Sequence, residues 1–302
     1  MDERVGRIVA GIGGNYDVLL EDGSILRLKA RGLFRKQKIT PLLGDLVTVS
    51  WDATEDGYFD RILDRKNESI RPAAANIDQM LVVFAARYPD PHFKLLDRFL
   101  IECDARKIPC LIAFNKADLL EEKDRLRIQS ILRSYEEAGY QVFLISTVDP
   151  DECMRTKAKL LPFLSGKLTI FAGPSGVGKS SLINLLIGSN QETGILSEKI
   201  ARGKNTTRHA RLLPILEGDK PGLIGDTPGF SSFYMQKLTE ETLPAAYPEF
   251  RPFLGQCRFT NCRHRKEDDC AIRKAVTDGI ISRVRYRNYL ELLEDLSDER
   301  KQ

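Results

Sequence analysis

The sequence predicts an α/β protein in three parts: an N-terminal β-barrel, a mostly parallel sheet flanked by helices, and a helical C-terminal region. Two changes of texture predict it. Short β-type runs punctuated by Gly and Asp give way at Asn76 to strands alternating with helical stretches. After Asp226 and Gly229 that alternation stops, and a mostly helical segment with clustered Cys and His follows. These changes place domain boundaries at residues 1–68, 69–235 and 236–302.

The first part contains five β-type runs: Val5 to Ile12, Tyr16 to Leu20, Ile25 to Leu28, Leu46 to Trp51 and Tyr58 to Leu63. Five short strands in so few residues suit a small closed barrel, with the OB-fold as the leading candidate. The second part reads as strand Ile77 to Ala85, helix Lys94 to Arg106, strand Pro109 to Phe114 and helix Lys123 to Ala138. It continues with strand Gln141 to Ile145, helix Asp151 to Leu164 and strand Lys167 to Ala172. Such alternation packs helices on a mostly parallel sheet. Between Ser189 and Arg211 the periodicity lapses in a Gly-, Lys- and Thr-rich stretch, and long loops inside compact domains are usually functional. No internal repeat or low-complexity tract is present.

With 302 residues and 42% hydrophobic content, the chain buries a full-sized core. It has no run of eighteen apolar residues, and Met1-Asp2-Glu3-Arg4 is not the start of a signal peptide. The expectation is a cytoplasmic monomer without a membrane partner. In a reducing compartment the six cysteines are read for metal or catalysis before disulfides. Cys103, Cys110 and Cys153 are scattered and read as small buried hydrophobes. The net charge of +3 is small but unevenly spread. Arg27, Lys29, Arg31, Arg35, Lys36 and Lys38 form a run without an acid, and residues 251–290 hold ten Lys or Arg against four Asp or Glu.

The strongest chemical signal is Gly173-Pro174-Ser175-Gly176-Val177-Gly178-Lys179-Ser180, between the strand Leu168 to Ala172 and the helical run Ser181 to Ile187. This is a P-loop in its strand–loop–helix context. Glycines let backbone N–H groups turn in around the α- and β-phosphates, and the helix dipole favours the anion. Lys179 reaches the β- and γ-phosphates, and Ser180 ligates magnesium.

The P-loop does not choose the base. Asn115-Lys116-Ala117-Asp118 follows the strand Cys110 to Phe114, at the edge where open α/β sheets bind ligands. It resembles the N-K-x-D motif of translation-factor-class GTPases. That resemblance implies that Asp118 accepts hydrogen bonds from guanine N1 and N2, Asn115 helps fix loop and base, and the Lys116 stem packs on the ring. Adenine has no donor at N1 and would leave the aspartate unpaired. The alternative is a helix cap ahead of Leu119-Leu120.

Asp226-Thr227-Pro228-Gly229 follows the strand Gly222 to Gly225. In such GTPases the aspartate holds magnesium through water and the glycine N–H senses the γ-phosphate; the alternative is a Pro-Gly turn. In the long loop, Thr206 or Thr207 would complete the magnesium shell, and the sequence does not rank them. Ile145-Ser146-Thr147 would present a backbone N–H to guanine O6. The base motif precedes the phosphate loop, the reverse of ordinary GTPases, so the sheet is entered at a different strand by circular permutation.

Cys257-x4-Cys262-x-His264-x5-Cys270 offers three thiolates and an imidazole, a donor set for a closed tetrahedral structural zinc. Four protein ligands leave no position for a catalytic water. Free cysteines beside a surface histidine are the alternative.

With permuted motifs, a barrel-like N-terminus and this Cys/His cluster together, the chain resembles the ribosome small-subunit-dependent GTPase A family over nearly its whole length. The resemblance implies an OB-fold, a circularly permuted GTPase domain, a zinc-binding C-terminal domain and a role in late maturation of the small ribosomal subunit. It implies GTP on Asn115 to Asp118 and on Gly173 to Ser181, magnesium with the GTP, and one zinc on Cys257, Cys262, His264 and Cys270. Catalytic roles fall to Lys179, Ser180, Thr207, Asp226 and Gly229. The sequence departs from GTPase patterns at Phe230, where many have a water-orienting Gln, and at Asn205, where family members often have His; His209, four residues on, is either a substitute or a surface histidine. Slow intrinsic hydrolysis is therefore expected. The basic run with Phe34, and the basic helix Ile280 to Tyr289 with Tyr286 and Tyr289, are expected to contact rRNA phosphates and stack on bases. A GTP-gated RNA tether is the competing function; a kinase is disfavoured by the Asn115 to Asp118 motif and the lack of an acceptor site.

Overall fold

Strand β1 (Arg4–Ile12) is hydrogen-bonded antiparallel to both β2 (Asn15–Leu20) and β4 (Leu46–Ser50). Strand β5 (Tyr58–Ile62) pairs antiparallel with β4 and parallel with β3 (Ile25–Ala30), which pairs with β2. The order β1-β2-β3-β5-β4 closes on β1, so the five expected strands form a barrel with no free edge, the OB-fold arrangement. A register shift between Ile8 and Ala10 lets β1 bend between its partners. Ile8, Val18, Leu28, Val47, Val49 and Phe59 fill the interior.

These strands belong to a computed structural model that describes residues 4–32, 34, 37–50, 57–70, 73–188, 211–226 and 238–299. The chain folds as two units, Met1–Leu81 with Ser146–Ser232, and Val82–Ile145 with Phe233–Gln302.

In the first unit the barrel continues into the phosphate-side sheet. Strand β12 (Arg211–Ile215) meets β1 at Ala10↔Arg211 and pairs antiparallel with β13 (Gly222–Asp226), which runs parallel to β11 (Leu168–Ala172). β12 is not among the expected strands: it starts where the irregular loop was read to end, and Pro214 weakens its signal. Pro214 is tolerated because the pairing with β1 has already ended at Arg211. A hairpin of β6 (Glu68–Ile70) and β7 (Ala73–Ala75) was also not expected, because three-residue strands carry too little periodicity. It wedges against Gly44, whose φ of +84° suits glycine and where a Cβ would lie 2.2 Å from the Ala75 carbonyl oxygen. Buried Asp45 beside it is held by both arms of Arg65, at 2.7 and 2.8 Å. Helix α3 (Pro150–Leu164) starts with proline and is capped by Asp149, which accepts from Asp151 N at 2.9 Å.

The second unit contains β9 (Cys110–Asn115), β10 (Gln141–Leu144) and, from Val82 on, the end of β8 (Gln79–Ala85), in the order β10-β9-β8; β9 and β10 are parallel. Helices α1 (Phe93–Ala105) and α2 (Glu122–Glu137) belong to this unit, as does the C-terminal region. That region has short 3-10 turns at Leu243–Ala246 and Pro248–Phe253, then α5 (Ala271–Thr277) and α6 (Arg283–Glu299). Its core joins Leu243, Tyr247, Phe250, Ile272, Tyr289 and Leu292 to Ile101 of α1. Among the described residues no helix is long and apolar enough to cross a membrane.

Three residues expected to face RNA do not. Phe34 is 5% exposed and packs on Phe59, with ring centroids 5.5 Å apart. Tyr289 is fully buried, and its hydroxyl donates to the Arg263 carbonyl at 2.7 Å. Arg285, within the basic helix, is 2% exposed. It donates to Asp97 of α1 and bidentately to Glu249, at 2.7 and 3.1 Å, with its guanidinium carbon 4.8 Å from the Tyr135 ring centre and 4.7 Å from that of Tyr247. Asp97 also accepts from Tyr135 Oη at 2.8 Å and from Asn288 Nδ2 at 2.9 Å. Burial pulls the Arg285 guanidinium down, but Asp97 and Glu249 outweigh it and hold the group well above its ordinary value. Removing one partner of such a pair leaves the others charged and buried. Arg285→Met should therefore lower stability by about 3–5 kcal/mol, read as a shifted midpoint in urea denaturation; a loss below about 1 kcal/mol would show the network to be as weak as a surface pair.

Candidate functional site

In the first unit, β11 ends at Ala172 and the chain turns through three glycines with positive φ, Gly173 (136°), Gly176 (77°) and Gly178 (90°), before α4 (Lys179–Ile187) begins. The buried side chain of Val177 anchors the loop, and α4 is fixed by Leu182, Ile183 and Leu186. Ser175, Gly176, Ser180 and Ser181 are exposed on its outer side, and Pro174 is half-buried. No side chain caps α4, so its first-turn amides and dipole are directed at whatever enters the loop. Lys179 is folded over the loop, Nζ donating to the Gly173 carbonyl at 2.9 Å and to that of Pro174 at 2.6 Å. The parallel register Phe171↔Asp226 sets the end of β13 beside the start of this loop. One sheet edge thus brings together Gly173 to Ser181 and the backbone of Asp226. Thr206, Thr207, Gly229, Asn205, His209 and Phe230 lie outside the described residues.

In the second unit, β9 ends on buried Asn115, and Lys116 adopts a left-handed conformation with φ 62°. A 3-10 turn, Ala117–Leu119, carries Asp118 to the surface. Ala117 N donates to the Ile145 carbonyl at 3.0 Å, and Ile145 N to Phe114 O at 2.9 Å, so the loops after β9 and β10 are laced together. The helix-cap alternative fails, since α2 starts after Glu121 and no side chain caps either it or the turn. Two contacts had no sequence signal: Ala86 N donates to the Asn115 carbonyl at 2.7 Å, and Lys116 Nζ to the Tyr88 carbonyl at 2.5 Å. They join segments about thirty residues apart, beyond the reach of any local pattern.

The second unit also holds the Cys/His cluster. The ligand atoms of Cys257, Cys262, His264 and Cys270 all lie within 4.8 Å of one another, and the cysteines are free thiols. His264 Nδ1 is 3.5 Å from Cys257 Sγ and 3.3 Å from Cys270 Sγ, and those two sulfurs are 3.9 Å apart. Zinc–ligand bonds of about 2.3 Å to sulfur and about 2.0 Å to nitrogen give tetrahedral edges of about 3.8 Å between sulfurs and about 3.5 Å between sulfur and nitrogen, so the donor set fits that ion. Burial, reinforced by the Cys270 and Cys257 sulfurs, pushes the Cys262 thiol up to about 12, the cost of gathering thiolates without a cation. Burial also pulls His264 down, which favours the neutral, ligating imidazole.

The ligand loop is shaped from outside. Tyr286 and Tyr289 of α6 donate to the carbonyls of His264 (2.6 Å) and Arg263 (2.7 Å), supporting the left-handed φ of 57° at His264. The Glu267 carboxylate gathers the amides of Arg263, Arg265 and Lys266.

A family model described as RsgA GTPase matches residues 62–236, and one described as RsgA N-terminal domain matches residues 5–59. The chain belongs to the RsgA GTPase family. It is 45% identical to a small ribosomal subunit biogenesis GTPase RsgA of Agathobacter rectalis, over 98% of this chain and 99% of that protein. It is 40% identical to the RsgA of Clostridium botulinum, over 98% of each. Among solved structures it resembles YloQ, described as a circularly permuted GTPase, with a TM-score of 0.81 and 36% identity over 99% of this chain and 96% of that one. YjeQ from Thermotoga maritima gives a TM-score of 0.80 and 30% identity over 98% and 99%. The fold is accordingly a circularly permuted GTPase domain with an N-terminal five-stranded barrel and a helical C-terminal region, as its RsgA relatives would lead one to expect.

Proposed function

We propose that this chain hydrolyses GTP to GDP and phosphate, that it acts on the small ribosomal subunit during late maturation, and that the subunit stimulates its turnover. The observation that carries the reading is the exposed, uncapped start of α4 behind three positive-φ glycines, with the end of β13 alongside. That is an anion site next to a strand end that can supply a carboxylate. The relatives' names supply the subunit. We take residues 1–68 as the RNA-binding barrel, 69–235 as the GTPase domain and 236–302 as the zinc-binding domain of a cytoplasmic monomer.

In this reading the Gly173 to Ser181 loop amides cradle the phosphates, and Lys179 exchanges its two loop carbonyls for the β- and γ-phosphate oxygens. Asp118 reads the guanine edge, Asn115 and Ala117 fix the loop, and the Lys116 stem covers the ring. Ser180, Thr207 and Asp226 would hold magnesium, which when bound supplies charge neutralisation at the β- and γ-oxygens. Gly229 senses the γ-phosphate. The exposed hydroxyl of Ser180 in the first turn of α4 fits a ligand to a hard cation. RNA contact falls to exposed cations of the barrel, Arg27, Lys29, Arg31 and Lys38. Arg27 and Arg31 pair at the surface with Asp17 and Asp60, weak pairs that a phosphate can replace.

Asp118→Asn should move preference from guanosine to xanthosine nucleotides, because an amide donates to the carbonyl oxygen that replaces the exocyclic amine. Nucleotide competition reads it, and unchanged GTP preference would remove Asp118 from the base site.

Purified protein should carry about one zinc per chain, and removing it should unfold the C-terminal region before the nucleotide domain. Elemental analysis checks this; full zinc retention in a Cys262→Ser Cys270→Ser variant would sink the ligand assignment.

Isolated protein should hydrolyse GTP slowly, because Phe230 cannot orient water, and small subunits but not large ones should raise steady-state turnover. Ser180→Ala should abolish that turnover. If bound small subunits leave the rate unchanged, a GTP-gated RNA tether becomes the better reading.

A further inference from the structure

The chain leaving β8 crosses the base loop and grips it at two points. Ala86 N donates to the Asn115 carbonyl at 2.7 Å, and the Tyr88 carbonyl accepts from Lys116 Nζ at 2.5 Å. Tyr88 (φ 49°) and Lys116 (φ 62°) both occupy the left-handed region, which neither side chain favours, so each conformation must be imposed by its surroundings.

Arg87 lies between the two grips and is the residue that imposes it. Its guanidinium pairs with Asp124 in the first turn of α2 and stands 3.5 Å from Glu121, which precedes that helix. The same group lies over the Tyr88 ring, 5.1 Å from its centre. The Arg87 side chain is 22% exposed, whereas Tyr88, whose ring it covers, is 62% exposed. A lysine ammonium is a point charge on a flexible four-carbon stem, and a stem lies flat on a purine only if its end is tethered. The tether is the Tyr88 carbonyl, and Arg87 fixes where that carbonyl points.

We propose that Arg87 is a positioning residue for guanine-nucleotide binding, acting through the Tyr88 carbonyl on Lys116. The proposal rests on reading Asn115 to Asp118 as the base site. It makes a distinction that a general loss of stability does not. The Lys116 stem meets the face of the base, which is alike in guanine and hypoxanthine, whereas Asp118 meets the edge, where hypoxanthine lacks the exocyclic amine. Losing the tether weakens GTP and ITP binding by one common factor and leaves their ratio alone. The phosphate loop is untouched, so kcat holds while KM rises.

The experiment measures Kd for GTP and ITP, together with kcat and KM for GTP, on the full chain in wild type, Arg87→Ala, Arg87→Lys, Lys116→Ala and the Arg87→Ala Lys116→Ala double variant. Arg87→Ala should bind both nucleotides roughly three- to tenfold more weakly, the value of one lost hydrogen bond. Arg87→Lys should recover part of the loss by keeping the pair with Asp124. The double variant should bind no more weakly than Lys116→Ala alone, because the arginine acts only through the lysine. Wild-type affinity in Arg87→Ala, a changed GTP-to-ITP ratio, a parallel fall in kcat, or additive losses in the double variant would each overturn the proposal. If Arg87→Ala does not fold, Arg87→Gln gives the same comparison. Asp118→Asn in parallel separates the two failures: unchanged guanine preference there defeats the base-site reading, while a shifted preference with normal Arg87→Ala binding defeats the positioning role alone.

Discussion

Parallel pairing is the constraint on which the site depends. Two parallel strands put their carboxyl ends at one edge whatever their order in the chain. In the first unit the register Phe171↔Asp226 does this for the phosphate loop and the backbone of Asp226, although some fifty residues separate them. In the second unit the pairing of β9 with β10 does it for Asn115 to Asp118 and the segment after Leu144, and the Ala117 to Ile145 hydrogen bond closes that edge. Neither arrangement depends on which strand the chain enters first. A circular permutation therefore reorders the motifs without dismantling the edges that collect them.

The C-terminal region faces a different problem. The described stretch 238–299 is short enough that a core of its own would be marginal. It draws on α1 through Ile101 and through the pairing of Arg285 with Asp97, where the side chains of Tyr135, Tyr247, Arg285 and Asn288 converge on one carboxylate. A buried ion pair adds little net stability over a hydrophobic contact, but it tolerates few alternative packings. The Cys/His cluster lies against that same core, with Cys270 a member of it, Cys257 and Cys262 packed on it, and Tyr286 and Tyr289 bonded to the carbonyls of the ligand loop. Apolar packing, a buried charge network and a donor set shaped for zinc each supply what a region of this size lacks.

How far the sequence could be read follows from what each signal encodes. The barrel strands and the β/α alternation agree with the observed elements to within a residue or two, because period and turn residues are local properties. The glycine turn ahead of α4, the turn after β9 and the convergence of Cys257, Cys262, His264 and Cys270 lie where short runs of characteristic spacing mark them in the sequence. β6, β7 and β12 were missed because they are short or interrupted by Pro214 and exist only through their partners. The reading of Phe34, Arg285 and Tyr289 as an RNA surface was wrong because charge composition says nothing of direction. A signal was nevertheless present. Arg285, Asn288, Tyr289, Leu292 and Leu296 recur at helical spacing and form the buried stripe of α6, in which Arg285 takes a core position. The grip of Ala86 and Tyr88 on the base loop had no such signal, since it joins backbone carbonyls and amides that any residue supplies.

The joint between barrel and phosphate loop decides whether one can sense the other. A barrel on a flexible linker would leave the loop indifferent to whatever the barrel binds. Here the sheet is continuous: β1 closes the barrel and also meets β12, which pairs with β13 next to the P-loop strand. At the opposite end of β11, Leu168 N donates to the Asp78 carboxylate at 2.7 Å, and Asp78 is itself paired with Lys66. Asn76 Nδ2 bonds the Gly44 carbonyl at 3.1 Å, and the glycine leaves no room for a side chain between barrel and hairpin. Displacing the barrel therefore breaks main-chain hydrogen bonds and a buried polar joint rather than bending a linker. Because packed elements shift between discrete arrangements instead of deforming smoothly, the barrel and the strand that presents the phosphate loop are held as one packed body rather than as two tethered ones.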